Sequence, residues 1–308
     1  MPDTRAVTLA MVAGEASGDL LGAHLIKALK AHLPHARFVG IGGPRMQAEG
    51  MQVLHPQEKL AVHGYVEALR HYPEIAGIRR QLIQRWRTDK PDLFIGIDAP
   101  DFNLHLERKL KQRGVPAIHY VSPSIWAWRG ERIHKIRQSV NHILTLFPFE
   151  KPLYDKVGVP ATYVGHPLAD LLPEAPDRAA MREQLKLPQD ATVVALLPGS
   201  RQSELQAMSD LFIRSAERLL LHDPDVRFLV PLVSRETRLL FEETLYRLNA
   251  AHLPLTILFG HAHDAMIASD AVLVASGTAT LEAALLKRPM VITYRVPSLS
   301  WNILRHMN

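Results

Sequence analysis

Residues 93–103 read Leu93-Phe94-Ile95-Gly96-Ile97-Asp98-Ala99-Pro100-Asp101-Phe102-Asn103, a short apolar run that stops at an acidic residue and gives way to a segment of helical period. The same alternation spreads in both directions. Short apolar and β-branched runs at Val7–Val12, Arg37–Ile41, Ala117–Val121, His142–Leu146 and Thr162–Val164 predict strands, with helices between most of them. Strand, helix and strand in succession imply a parallel sheet covered by helices. From His166 to Asp177, Pro167, Pro173 and Pro176 interrupt any helix, and this break is the expected domain boundary. The alternation restarts with strands at Val193–Leu197, Arg227–Val230, Leu255–Leu258, Ala271–Val274 and Met290–Thr293, and helices near Glu204–Leu221, Arg235–Asn249 and Ala279–Leu285. The expected fold is α/β: two Rossmann-like doubly wound domains, residues 1–170 and 177–308. Ligands of such sheets bind beyond the carboxyl ends of the strands, so the strand-to-helix turns are where chemistry is sought.

Composition agrees. A chain of 308 residues fits two domains of roughly 100 to 200 residues each. With 47% apolar and 22% charged residues it sits in the globular range. Unbroken apolar runs such as Val193–Leu197 fall far below the roughly 18 residues that span a bilayer. There is no Cys, which removes disulfides, thiolate nucleophiles and Cys-ligated metals and fits a reducing compartment. Met1–Gly14 imitates a signal peptide, but Glu15 and Asp19 follow at once, so a buried first strand is expected. The net charge of +5 favours an anionic partner: nucleic acid, an anionic lipid surface or a phosphorylated substrate. Charge alone does not choose among them.

In the first half, Gly14-Glu15-Ala16-Ser17-Gly18-Asp19 joins a strand to a helix, and small residues with free helix-start amides suit an anion; a tight turn capped by Ser17 or Asp19 is the plainer alternative. The spacing is not G-x-G-x-x-G, which disfavours a nicotinamide enzyme. Asp98, at a strand end, is placed to accept a proton from an alcohol in a transition state, while Asp101 suits a helix cap. No third ligand accompanies Asp98 and Asp101, so no metal is expected there. His119-Tyr120-Val121-Ser122-Pro123-Ser124-Ile125-Trp126-Ala127-Trp128-Arg129 reads as a long loop after a buried strand, its aromatics serving either packing or ligand.

In the second half, Pro198-Gly199-Ser200-Arg201-Gln202-Ser203-Glu204 sets an Arg between a strand and a helix, where it forks onto phosphate oxygens or pairs with Glu204. Ser276-Gly277-Thr278 repeats the pattern, with Glu282 one helical turn past Thr278 on the same face. Val66, Leu69 and Tyr72 share a face before Pro73 and next to Arg70; Ile75, Ile78, Leu82, Ile83 and Trp86 form a second stripe. The second reads as core-facing, giving two helices around Pro73, and the first either packs likewise or lies on an anionic membrane.

These stretches, together with Gly43-Pro44-Arg45-Met46, Phe147-Pro148-Phe149-Glu150-Lys151 and Trp126-Ala127-Trp128, occur in order along the whole chain, and in them the sequence strongly resembles the lipid-A-disaccharide synthase family of Gram-negative bacteria. The resemblance implies the GT-B glycosyltransferase architecture with the ligand cleft between its domains. It implies a reaction joining UDP-2,3-diacylglucosamine to 2,3-diacylglucosamine 1-phosphate (lipid X) with inversion and release of UDP. By it, Asp98 is the base; Gly199, Ser200, Arg201, Ser276, Gly277, Thr278 and Glu282 hold the donor; Glu15, Ser17, Gly18, Asp19, Ser122 and Ser124 face the acceptor; and Val66, Leu69 and Tyr72 form the membrane and acyl patch. It further implies no metal and no cofactor, no nucleic acid, a cytoplasmic enzyme peripheral on the anionic inner-membrane surface, and a homodimer built by a C-terminal tail that the family carries beyond the position of Asn308. A UDP-sugar 2-epimerase and a non-catalytic nucleotide-sugar-binding protein are the alternatives; an epimerase has no reason for an apolar basic patch, and a pure binder does not need Asp98.

Overall fold

A computed structural model describes residues 6–60, 65–127 and 130–295, with residues 65–70 as backbone only. The chain divides into two compact units, Met1–Pro167 and Leu168–Asn308.

The first unit is a seven-stranded, all-parallel sheet: β1 (Thr8–Ala13), β2 (Arg37–Gly42), β3 (Gln52–Pro56), β4 (Leu93–Ile97), β5 (Ala117–Tyr120), β6 (His142–Thr145) and β7 (Ala161–Tyr163), in the order β3-β2-β1-β4-β5-β6-β7. Its centre is buried on both faces because successive side chains of a strand point to opposite sides. Leu9, Met11 and Ala13 enter one core, while Ala10 and Val12 enter the other, with Phe94, Ile78, Leu82 and Trp86.

The second unit repeats the plan with five parallel strands: β8 (Val193–Leu197), β9 (Arg227–Leu232), β10 (Leu255–Phe259), β11 (Ala271–Ala275) and β12 (Met290–Thr293), in the order β10-β9-β8-β11-β12. Val193, Ala195 and Leu197 face one core, Val194 and Leu196 the other. Arg182, from the helix Arg178–Gln184, is buried and ties this unit together, donating to the carbonyls of Ala268 and Gln189 and to the Asp270 carboxylate at 2.6 Å. Asp270 in turn accepts from the Val193 amide at the start of β8.

Three details differ from the sequence expectation. The strand β3 is polar, partly exposed and ends in Pro, so it lacks the apolar signature of the others. The helix Tyr65–Thr88 runs straight through Pro73 as one element rather than two. A single helical turn, Leu168–Leu171, lies inside the proline-rich stretch and belongs to the second unit.

Candidate active site

In both sheets the strand order reverses at one place, between β1 and β4 and between β8 and β11. At such a switch point the connections leave in opposite directions and open a crevice beyond the carboxyl ends of the strands. The turns after these four strands are the ones the motifs occupy.

In the first unit, the turn after β1 carries Glu15 and Ser17, both partly exposed, and the turn after β4 carries Asp98. The two turns touch: a Cβ on Gly14 would lie 3.0 Å from that of Ala99. Asp98 and Ala99 both adopt the left-handed conformation, with φ of 52° and 43°, unfavourable for residues carrying a side chain. The surroundings hold them there. The Asp98 amide donates to the Tyr120 carbonyl at 2.8 Å, and the buried Asn103 amide donates to the Asp98 carbonyl at 2.8 Å and the Val12 carbonyl at 3.2 Å. Burial and then the nearby Glu15 carboxylate push the Asp98 carboxyl above its usual range, against the opposing charge of His119.

Behind this turn lies a fully buried ion pair. Glu107, one turn after Asn103 on the helix Pro100–Lys111, sets an Oε oxygen 2.6 Å from Nδ1 of His119 on β5. Burial works to lower the His119 imidazole, but the charge and hydrogen bond of Glu107, with Asp98 behind them, outweigh it and raise it. Burial likewise raises Glu107, against the charge and hydrogen bond of His119. The second carboxylate oxygen of Glu107 and Nε2 of His119 are buried without a hydrogen-bond partner.

In the second unit, β8 runs into Gly199 at φ 136°, where a Cβ would come 2.5 Å from that of Glu204. Glu204 accepts from the amides of Ser200 (2.8 Å) and Arg201 (3.2 Å) and from the Arg201 guanidinium (2.9 Å). The Arg–Glu pairing that the sequence offered as an alternative is therefore present. After β11, Ser276, Gly277 and Thr278 are exposed, and Glu282 is bonded to His263 at 3.0 Å. Ser276 gives its amide to the Thr293 carbonyl of β12 at 3.0 Å.

Several residues expected on the acceptor side are committed elsewhere. Asp19 is buried and accepts from the amides of Gly43, Arg45 and Met46 at 2.9–3.0 Å, so it caps the helix Pro44–Ala48 rather than facing a ligand. Gly18 is buried against Ala13. Ser122 is buried, 2.7 Å from the Tyr154 hydroxyl, whereas Ser124 is exposed. Asp101 does not cap its helix but pairs at the surface with Arg132 at 2.8 Å. Tyr72 is 59% exposed, Trp126 packs edge-on against exposed Phe149, and the side chains of Val66 and Leu69, like Trp128 and Arg129, lie outside the described residues. Asn103, Glu107 and His119 were not singled out from sequence; the available signal was Asn103 and Glu107 at an i, i+4 step on one helix face.

Two Rossmann-like units with such turns at their switch points define a GT-B fold, and solved structures agree. The S. aureus MnaA–UDP co-structure matches with a TM-score of 0.67 over 97% of this chain and 82% of its own, at 11% identity. The glycosyltransferase of kitacinnamycin matches with a TM-score of 0.60 over 95% and 82%, at 16% identity. The lipid-A-disaccharide synthetase family model matches residues 9–307. The lipid-A-disaccharide synthase of Methylobacillus flagellatus is 61% identical over 300 residues, 97% of this chain and 79% of that protein. The chain belongs to the lipid-A-disaccharide synthase family.

Proposed function

We propose that Asp98 is the base of a transfer in which the 6-hydroxyl of 2,3-diacylglucosamine 1-phosphate attacks the anomeric carbon of UDP-2,3-diacylglucosamine. The new glycosidic bond forms as the bond to UDP breaks on the opposite face, which inverts the anomeric centre. The acceptor proton passes to Asp98, and UDP leaves as an anion. What supports the reading is the Asp98 carboxylate itself, pushed upward by burial and the Glu15 charge and held in a strained turn at the first unit's switch point.

In this reading the first unit takes the acceptor, with Glu15, Ser17 and Ser124 facing it. The second takes the donor: Arg201, released from Glu204, forks onto the diphosphate beside Gly199 and Ser200; the Ser276 hydroxyl and the amides after it complete that cradle; Glu282 meets the ribose. Positive charge and amides aimed at the departing diphosphate supply the stabilisation a leaving group needs. Among the described residues no cluster of three His, Asp or Glu suits a metal, and no helix is long and apolar enough to cross a membrane. Both substrates are diacylated, so the enzyme meets them at the anionic inner leaflet through the start of the helix Tyr65–Thr88, where Tyr72 is exposed. Incubation with both lipids, following UDP release and the product's anomeric configuration, tests the reading. A disaccharide of inverted configuration is expected; UDP release with a 2-epimerised sugar would return the epimerase alternative.

A further inference from the structure

Among the described residues, Glu107 and His119 are the one ion pair whose side chains are both fully buried, and such a pair is costly when atoms of it lack partners. Packing alone favours apolar side chains here. The arrangement also required a sacrifice elsewhere. His119 on β5 lies in register with Gly96 on β4, two residues before Asp98. A Cβ on Gly96 would fall 2.1 Å from an oxygen of Glu107, so the bare position is what lets the carboxylate reach across β4 to His119. Three elements thus converge behind one turn.

Among the described residues, the charges that act at that turn come from four side chains. Glu15, from the turn after β1, and His119, from β5, act on Asp98; Glu107, from the helix Pro100–Lys111, and Asp98 act on His119. Asp101, on the same helix, is engaged at the surface by Arg132. Glu15 and Asp98 repel, and His119 supplies a charge that opposes this at Asp98.

We propose that the Glu107–His119 pair is a positioning device for Asp98: it keeps one proton on His119, sets that positive end beside the Asp98 carboxylate, and so holds the carboxylate ionised next to Glu15. The inference rests on Asp98 being the base. Glu107 holds the Nδ1 proton of His119, and both side chains are fully buried, so they act through Asp98 rather than on substrate.

The test is the pH dependence of kcat/KM with both lipid substrates for the whole chain and its variants. Glu107→Gln and His119→Gln remove the positive end and should move the acid limb about 1 unit to higher pH, with the high-pH plateau kept within severalfold. Glu15→Gln removes the repelling charge and should move the limb the other way. Limbs that stay in place while thermal stability and rate fall together overturn the proposal and leave a merely structural pair. Asp98→Asn separates the two readings: its loss of turnover with unmoved limbs in the others condemns the pair alone, whereas normal turnover removes the base and the device with it. Should the buried variants not fold, ¹⁵N spectra of the histidine-labelled wild-type chain decide. A histidine with a protected, hydrogen-bonded Nδ1 proton is expected to remain doubly protonated at pH 8, and a neutral tautomer for it at pH 7 overturns the proposal.

Discussion

Replacing Asp98 by Asn keeps the side chain's shape and removes the base. Turnover should fall at least about a hundredfold while UDP affinity, measured calorimetrically, stays near the wild-type value. Because the folded environment raises the Asp98 carboxyl and only the ionised form accepts a proton, the acid limb of kcat/KM should lie above the ordinary carboxylate range. Gly96→Ala drives a methyl into Glu107 and should cost about 1–3 kcal/mol in urea unfolding, the range for overpacking a tight interior. Arg201→Ala should weaken UDP binding by about 1.5 kcal/mol, the low end for a charged hydrogen bond, because the wild-type guanidinium must first leave Glu204. Asp98 could be singled out as a candidate in sequence because an acidic residue closing an apolar strand has few structural uses. Glu107 and His119 were not: a Glu inside a helix reads as solvated surface and a His inside a strand as satisfied core. Their meeting depends on β4 lying beside β5 with a glycine between them. Asp19 misled for a related reason, since the amides it caps belong to a helix more than twenty residues downstream.

Elements carry predictions of their own. The helix Arg178–Gln184 is held to β8 and β11 through Arg182 and Asp270, and Asp270→Asn leaves a buried guanidinium without its counter-charge. Removing one partner of a fully buried pair costs about 3–5 kcal/mol; with Asp270 partly exposed, about 2–3 kcal/mol is expected. Burial pulls the Asp270 carboxyl up, but the Val193 amide and the guanidinium groups of Arg182 and Arg178 outweigh it and hold it low. The stabilised form is the ionised one, so its contribution is present above about pH 4 and is lost as pH falls through the lowered folded value. The difference in urea midpoint between wild type and variant should narrow in acid. At the helix Tyr65–Thr88, Ser at Val66, Leu69 and Tyr72 together should give a folded protein that no longer sediments with anionic vesicles. Retained vesicle binding with lost thermal stability would assign those side chains to the core instead. Its later stripe, Ile78, Leu82 and Trp86, was readable as core from the helical period, and the structure buries all three. Continuity through Pro73 was not readable, because the lost amide bond predicts a break wherever packing is ignored.

At the scale of the whole chain, two sheets with separate cores mean that a donor-side ligand should act on one of them. Saturating UDP is expected to slow amide exchange in β8 and β11 and leave β1 and β4 unchanged; equal protection of both units, read by mass spectrometry, contradicts the donor assignment. The division into two α/β units was visible in the alternation of runs, and the two reversals of strand order, on which the site depends, were not, since periodicity marks strands without saying which neighbours they take. The position of β1 has an additional consequence for synthesis. At roughly 5–20 residues per second the ribosome finishes β1 several seconds before it reaches β4, the neighbour that covers one edge of it. Until then its run Thr8-Leu9-Ala10-Met11-Val12-Ala13 has β2 on one side and an open edge on the other. The nascent chain therefore carries this buried apolar strand unpaired until β2 is made, and then half-paired until β4 follows, some eighty residues after β1 in all, and a holding chaperone at the exit tunnel has its natural target there.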